Sequence, residues 1–235
     1  MQILKLSLQD FFSLKFLKFA LIPLACSLLF MSILGIFGFS FLTNYFHSLF
    51  SVSEDSFWAW FYAFHAVQIL LTVTSFLFSG FIIVFASVFL ALFITSFLTP
   101  FIVKEINRKY YHYNLEEEVG SLGIFFEIFK IFIKFGFFFI ICTLALFLPF
   151  VNLFIYYFVF YYLFHKLLIL DVTSSVLDQQ NFKSFNAEFS PFEFKFSTLC
   201  FYILSSVPFL GLFFQVFFVI FLTHLSYQKI LKLKA

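Results

Sequence analysis

The chain has 235 residues, of which 63% are hydrophobic and only 11% are charged. A soluble domain is close to one half apolar and one quarter charged, so this composition excludes an ordinary soluble domain and predicts an integral membrane protein. The net charge of +2 is too small to indicate a nucleic-acid partner.

The first 43 residues predict an interfacial helix followed by a membrane span. Residues 1–18 place apolar side chains on one helical face and Gln and Lys side chains away from it, which is typical of an amphipathic helix at a membrane surface. Residues 19–43 contain no charged side chain, and about 20 residues are enough for a helix to cross a hydrocarbon core ~30 Å thick. Pro23 falls near the start of this span, where a proline disturbs a helix least.

Residues 57–103 form a second apolar run that lacks Asp, Glu, Lys and Arg throughout. Only Gly80 interrupts it, and no cluster of turn-forming residues does, so we expect one long tilted helix. This helix is expected to stop near Thr99-Pro100, because the residue before a proline is pushed out of the helical region. The alternative is a tight two-span hairpin around Ser79-Gly80.

Residues 116–134 predict an amphipathic helix on the membrane surface, and two apolar runs follow, 135–165 and 196–228. Each run carries a proline near its centre, followed by a turn former. Aligned on Pro149 and Pro208, the two runs agree at several positions with one constant offset, which favours an internal repeat. The matching pairs are Phe150/Phe209, Leu153/Leu212, Phe154/Phe213, Phe158/Phe217, Leu163/Leu222 and His165/His224.

The positions of Lys and Arg distinguish two folds for the proline runs. Each proline splits its run into arms of about 14 residues, which reach only ~21 Å, short of the ~30 Å core. Two kinked spans would place the lysines of 166–195 on the opposite side from the other basic segments. Re-entrant hairpins keep every Lys and Arg on one side and the acidic loop 44–56 on the other, so the charges favour them, with both termini cytoplasmic. Lipid cannot satisfy the backbone at the hairpin tips, so we also expect tight packing or oligomerisation.

Four short apolar motifs occur in order along nearly the whole chain. They are Leu21-Ile22-Pro23-Leu24, Phe97-Leu98-Thr99-Pro100-Phe101, Leu148-Pro149-Phe150-Val151-Asn152 and Val207-Pro208-Phe209-Leu210-Gly211. In these motifs, and in an acidic residue at Asp171, the chain resembles the CysZ-type sulfate permeases and the wider etoposide-induced-protein-like membrane family. The resemblance implies an all-α integral membrane protein with two long transmembrane helices and two hemi-penetrating helical hairpins. It also implies a homo-oligomer in the bacterial cytoplasmic membrane.

The resemblance also suggests where an anion would bind. The sulfate-transporting branch carries a basic pair just before the first motif, where this chain has Leu17-Lys18, with Lys15 a turn earlier. We expect Lys15 and Lys18 to concentrate anions at the mouth of a path. Helix N-termini after Pro149 and Pro208 would line that path with free N–H groups. Asn152 would either add a hydrogen-bond donor there or cap the hairpin turn. The expected hairpin tips are Pro149, Phe150, Asn152, Pro208, Phe209 and Gly211.

The remaining polar residues inside apolar runs give weaker signals. His65 lies inside the second run and is either functional or bonded to neighbouring backbone, while His165 and His224 are expected at the membrane interface. The three cysteines stand alone without CxxC spacing, so no metal site or disulfide is expected. No phosphate-binding Gly-rich loop, GxSxG or zinc motif occurs, so the sequence predicts neither an enzyme nor a cofactor.

Two functions follow from these observations. The first is a permease for sulfate or a related small oxyanion, which the family resemblance implies. The second is a membrane scaffold or assembly factor that transports nothing and binds a partner protein through residues 171–195, which read as a polar, solvent-facing connector.

Overall fold

The computed structural model of the chain describes residues 2–50, 60, 64–115, 117–144, 152–187 and 190–234. Within these residues all regular secondary structure is helical, with nine α-helices and two π-helical turns. The α-helices are α1 (Gln2–Phe11), α2 (Leu14–Ile33), α3 (Phe39–Phe50), α4 (His65–Ile106), α5 (Ser121–Leu144), α6 (Asn152–Val176), α7 (Gln179–Ala187), α8 (Phe192–Ser205) and α9 (Pro208–Lys229). The π-helical turns are Leu34–Gly38 and Asn107–Tyr111.

The chain divides into two compact units, Met1–Leu21 with Ile94–Ala235, and Ile22–Phe93. In the second unit α3 packs on the first half of α4 through aromatic pairs, with 4.9 Å between the ring centroids of Phe39 and Phe76. The hydroxyl of Thr43 also donates to that of Ser79 at 3.2 Å. A small hydroxyl contact of this kind lets two apolar helices approach closely where no water is present.

The first unit is organised around α9, which is buried on nearly all sides from Val216 to Tyr227. Helix α1 lies against α9, where the Phe11 ring contacts the rings of Phe213, Phe214 and Phe217 at centroid distances of 5.3, 5.6 and 5.7 Å. A helix that is apolar all round needs such enclosure by neighbours.

The N-terminal helix is shorter than predicted. It ends at Phe11 instead of continuing to residue 18, and α2 begins at Leu14, ahead of the expected span start at residue 19. Helix α1 buries Ser7, Asp10 and Phe11, while Leu4 and Leu8 stay exposed, as does Phe12 just after it. The side facing the protein therefore carries polar groups beside the Phe11 ring, and the exposed leucines remain free to meet lipid.

Residues 65–106 form one uninterrupted helix of 42 residues, α4. The alternative hairpin around Ser79-Gly80 is therefore wrong, and so is the expected stop at Thr99-Pro100, because Pro100 lies inside the helix. The helix continues because Ile102, Val103 and Ile106, beyond the proline, enter the core of the first unit. Burial of three such side chains outweighs the roughly 3 kcal/mol that an internal proline costs.

Helices α5 and α6 form an antiparallel pair. The rings of Phe135 and Phe160 lie 5.7 Å apart, and Thr143 and Tyr156 share a hydroxyl hydrogen bond of 3.0 Å. The predicted surface helix 116–134 and first hairpin arm are one continuous helix, α5. With 24 and 25 residues, α5 and α6 are each about 36 Å long, not the ~21 Å expected from arms split at the proline. Pro149 and Phe150 lie outside the described residues.

Helices α8 and α9 form a second helical hairpin, closed by a turn at Ser206 and Val207. Pro208 occupies the first position of α9, where its missing N–H has no helical partner to lose. The Phe201 and Phe218 rings stack at 4.4 Å between the arms. A Cβ atom at Gly211 would lie 2.8 Å from the Ser205 carbonyl oxygen, so a glycine is required for the arms to approach this closely.

Two described stretches are long and apolar enough to cross a bilayer, Leu14–Ser48 and Ile155–Val176. The second reaches past Asp171, so the polar connector predicted for 171–195 begins later than expected. Val172, Thr173, Val176 and Leu177 are buried, because α6 continues into the core of the first unit. Only from Asp178 onward does the chain return to polar, partly exposed helix α7.

Candidate functional site

A basic cavity of about 240 Å³ lies between the start of α2 and the end of α4. Its lining consists of Lys15, Phe19, Phe101, Lys104, Glu105 and Arg108. Lys104 and Arg108 are four residues apart and so project from the same side of their helix. Three cations and one carboxylate leave two positive charges in excess, in a recess whose other walls are phenyl rings.

One of these cations is already paired. The Lys15 ammonium lies 2.6 Å from the Glu105 carboxylate, with 57% of the Lys15 side chain and 25% of the Glu105 side chain exposed. An exposed pair of this kind contributes only about 0–1 kcal/mol, so it breaks easily when a better anion arrives. Lys104 and Arg108 are exposed and complete the positive wall.

The residues predicted to bind an anion are only partly brought together. Lys15 lines the basic cavity, but Lys18 is exposed and is not among the six lining residues. Asn152 is the first residue of α6, while Pro208, Phe209 and Gly211 form the first turn of α9. No contact between described residues links Lys15 to any of these helix starts.

Lys104 and Arg108 were not predicted as partners of Lys15. Some ninety residues separate them from Lys15 in sequence, and only the approach of the start of α2 to the end of α4, where Lys15 pairs with Glu105, closes that distance. Arg108 is the single arginine of the chain. Its guanidinium is suited to bidentate oxyanion binding, which lysine is not.

A buried polar network lies elsewhere in the first unit, around Asp10 of α1. One carboxylate oxygen, Oδ1, accepts from the Lys109 ammonium at 2.6 Å and from the Tyr110 hydroxyl at 2.9 Å. The other, Oδ2, lies 3.0 Å from Nε2 of His224 in α9. The Nδ1 atom of His224 lies 2.8 Å from the Tyr111 hydroxyl, which accepts from Gln228 at 3.1 Å.

The partners of this network fix where its protons lie. Because Gln228 donates to the Tyr111 oxygen, the Tyr111 hydroxyl proton is free to donate to Nδ1 of His224. The Nε2–H of a neutral His224 then donates to Asp10. Every polar group is satisfied with Asp10 ionised and Lys109 charged, which is the condition for burying a carboxylate at low cost.

The electrostatics of Asp10 and its neighbours agree with this assignment. Burial raises the pKa of Asp10, but hydrogen bonds from His224, Lys109 and Tyr110 outweigh it and hold the pKa below its usual value. Burial lowers the pKa of Lys109, yet its contact with Asp10 leaves that pKa raised overall. Burial raises the pKa of Tyr111 to about 12, so this phenol stays protonated near neutral pH.

The structure describes the surroundings of the other histidines. His165 and His224, predicted at the membrane interface, are enclosed by protein side chains, with exposed fractions of 5% and 0%. The Nδ1 atom of His165 bonds the Thr198 hydroxyl at 2.6 Å. His65, expected within an apolar run, is the exposed first residue of α4.

Asp171 is a second hydrogen-bonded carboxylate, and it is partly buried. It lies within α6 and accepts from the Ser96 hydroxyl at 2.7 Å and the Thr99 hydroxyl at 2.6 Å. Both donors are on α4, so these bonds join two helices where apolar packing alone would leave the register open. Within the described residues, no group of three or more His, Cys, Asp and Glu side chains is arranged to hold a metal ion.

Comparisons with known proteins bear on these features. No curated protein and no solved structure matches the chain. The family described as sulfate transporter CysZ/Etoposide-induced protein 2.4 matches residues 3–215, a range that includes Asp10, Asp171 and every residue of the basic cavity. Together with the long apolar helices, this match identifies a membrane protein of sulfate-transporter-like type. The chain belongs to the sulfate transporter CysZ/Etoposide-induced protein 2.4 family.

Proposed function

We propose that the protein is a permease for sulfate or a closely related small oxyanion in the bacterial cytoplasmic membrane, with the basic cavity at the mouth of its path. The observation that carries the proposal is the convergence of Lys15, Lys104 and Arg108 on one recess. The family name supports sulfate as the first anion to test.

The recess is suited to an anion that must enter and leave quickly. Arg108 offers two parallel N–H donors to two sulfate oxygens, and Lys104 adds a point charge. The Lys15 ammonium can leave the Glu105 carboxylate and bind the incoming anion, so one ion pair replaces another. The carboxylate that remains opposes very tight binding, and transport requires a site that releases its ion.

The placement of the chain in the membrane is part of the proposal. Helix α8 has 14 residues, about 21 Å, which is too short to cross the ~30 Å core, and this supports a re-entrant hairpin for α8 and α9. Because α5 and α6 are antiparallel, the chain leaves α6 on the same side of the membrane on which it entered α5. The basic segments then share the cytoplasmic side with both termini.

Oligomerisation and the deeper part of the path follow from the same placement. Backbone at the re-entrant turn must be covered by protein or line a watery path, because lipid cannot satisfy it. We propose that a homo-oligomer provides this cover, with the N–H groups in the first turns of α6 and α9, at Asn152 and at Phe209 after Pro208, facing the anion.

The alternative function, a scaffold that binds a partner protein through residues 171–195, has less surface than the sequence suggested. Residues 172, 173, 176 and 177 are buried, so a partner would meet mainly the exposed side of α7, around Gln180, Asn181 and Lys183. Stoichiometric co-purification of a second membrane protein, without anion flux, would favour this function.

The deciding experiment is sulfate flux into proteoliposomes that contain only this protein. Wild type is compared with empty vesicles and with a Lys15→Gln, Arg108→Gln double variant, which removes two of the three cations of the cavity. We expect flux at low sulfate to fall by about a hundredfold or more, because two charge-assisted hydrogen bonds are lost and each contributes on the order of 1.5–3 kcal/mol.

The matched control is Lys5→Gln, an exposed lysine of α1 that does not line the cavity. Its flux should equal that of wild type. No flux from folded wild-type protein, or flux that is unchanged in the double variant, would overturn the permease proposal or its site, respectively.

A further inference from the structure

An apolar groove of about 290 Å³ runs along the surface of the first unit between α5 and α6. It is lined by Phe138, Ile141, Cys142, Ile155, Phe158, Val159 and Tyr162. The α6 residues belong to a helix that is apolar enough to span a membrane. The groove therefore faces lipid and not water.

The same two helix faces carry lysines at one end of the groove. On α5, Lys134 precedes Phe138, Ile141 and Cys142 by four, seven and eight residues, which is one face of a helix. On α6, Lys166 follows Tyr162 and Val159 by four and seven residues on the groove-lining face. Because the helices are antiparallel and Phe138 contacts Tyr162 at 5.5 Å, the lysines lie together just beyond that pair.

In the part of the chain that the structure describes, no carboxylate neutralises these two lysines. Glu127, on α5, bonds Lys130 at 2.7 Å. Among the described residues neither Lys134 nor Lys166 has an ion-pair partner within 4.0 Å.

We propose that this groove binds one anionic glycerophospholipid, with an acyl chain along the apolar wall and the phosphate on Lys134 and Lys166. The two halves of the site match the two halves of such a molecule. From Lys166 to Ile155 the face extends eleven residues, about 16 Å, which is the scale of an acyl chain. Two like charges held close together are costly unless an anion neutralises them.

The occupant also suits the surroundings. A basic recess between membrane helices on the cytoplasmic side is suited to anionic headgroups, and each lysine near the surface contributes about tenfold or less to such binding. A free oxyanion would be neutralised equally well by the lysines but would leave the groove empty. The site is separate from the basic cavity, so it does not depend on the proposed permease activity.

The test uses the full-length protein in detergent and measures lipid binding by native mass spectrometry. The probes are phosphatidylglycerol, phosphatidylcholine with the same acyl chains, and inorganic phosphate alone. We expect one tightly held phosphatidylglycerol, weaker phosphatidylcholine and no comparable phosphate binding. A Lys134→Gln, Lys166→Gln double variant should bind phosphatidylglycerol roughly thirtyfold more weakly, with phosphatidylcholine unchanged.

Three further variants complete the test. Lys134→Arg with Lys166→Arg keeps the charges and should bind phosphatidylglycerol as wild type does. Cys142→Phe fills the groove without touching the lysines and should weaken binding of both lipids. Lys183→Gln, an exposed lysine on α7, is the matched control and should change nothing.

Three results would overturn the proposal. Unchanged phosphatidylglycerol binding in the Gln double variant would remove the lysines from the site. Equal binding of both lipids by wild type would leave no role for charge, and phosphate binding as tight as phosphatidylglycerol would assign the site to a free anion. If the Gln double variant does not elute as wild type on gel filtration, the Cys142→Phe variant decides.

Discussion

The Oδ2 atom of Asp10 lies 3.0 Å from Nε2 of His224, although 214 residues separate the two in sequence. Both side chains are completely buried. The contact fastens the N-terminal helix α1 to the central helix α9, and Lys109 brings in the end of α4 through the same carboxylate. One residue of a short helix therefore joins three distant segments of the chain.

Asp10→Asn should strongly destabilise the protein. An asparagine keeps the shape but removes the charge that Lys109 faces and offers an amide where His224 needs an acceptor. We expect a loss of about 2–3 kcal/mol, the range for hydrogen bonds to charged groups, seen as a lower Tm in detergent.

The matched control for that variant is Glu193→Gln, which breaks an ion pair with Lys229 in which both side chains are about half exposed. Its Tm should stay close to that of wild type, because such pairs are screened by water. An Asp10→Asn protein as stable as wild type would show that the buried network does not hold α1.

The same network predicts how stability changes with pH. The folded pKa of Asp10 lies below its ordinary value of 3.8, so the stability it contributes is complete above that value and is lost as the pH falls through the folded pKa. The folded pKa of Lys109 lies above 10.5, so its contribution is complete below that value and is lost as the pH rises through the folded pKa. Thermal unfolding from pH 5 down to pH 2 should show a steeper acid loss for wild type than for Asp10→Asn. Parallel curves would contradict the assignment.

Gly211→Ala should loosen the turn between α8 and α9. The added Cβ would meet the Ser205 carbonyl oxygen at 2.8 Å. Because that oxygen belongs to the backbone and cannot rotate away, the helices must move apart. Overpacking of this kind costs about 1–3 kcal/mol, measured as a fall in Tm. Gly136→Ala on α5 is the control, because a Cβ there meets nothing within 4 Å and alanine favours the helix. A Gly211→Ala protein with wild-type Tm would show that the arms can separate freely.

Composition and apolar patterning were enough to predict an all-helical membrane protein, and four short motifs were enough to indicate its family. They were not enough to place the helix ends, because tertiary burial decided those. Pro100 reads as a stop in isolation, but Ile102 and Ile106 are buried and carry the helix past it. Asp171 was predicted as the start of a polar connector, but its carboxylate accepts hydrogen bonds from the hydroxyls of Ser96 and Thr99, which join α6 to α4.

The polar clusters lay beyond sequence reasoning for a related cause. The constant offset between His165 and His224 was visible, and both are buried beside a hydroxyl group. Their partners Thr198 and Tyr111 come from other helices, and nothing in the local pattern points to them. Lys15 was found because a family motif lies next to it, whereas Lys104 and Arg108 needed the fold.

Glu105→Gln should strengthen anion uptake if the basic cavity is the mouth of an anion path. The substitution removes the one carboxylate of the cavity and releases Lys15 from its 2.6 Å ion pair. One additional positive charge near the anion is worth roughly 1 kcal/mol close to water, so the apparent KM for sulfate flux should fall about fivefold. The effect should shrink as salt is added, because exposed charges are screened.

Two further variants serve as controls for that KM measurement in proteoliposomes. Glu193→Gln removes a carboxylate that is not part of the cavity lining and should leave KM unchanged. Lys18→Gln tests whether Lys18, which was predicted from the sequence to bind the anion, contributes although it is exposed and does not line the cavity. We expect a smaller change in KM than for Lys15→Gln. A higher KM in Glu105→Gln would mean that the carboxylate holds Lys15 in its working position, since removing a competitor can only lower KM.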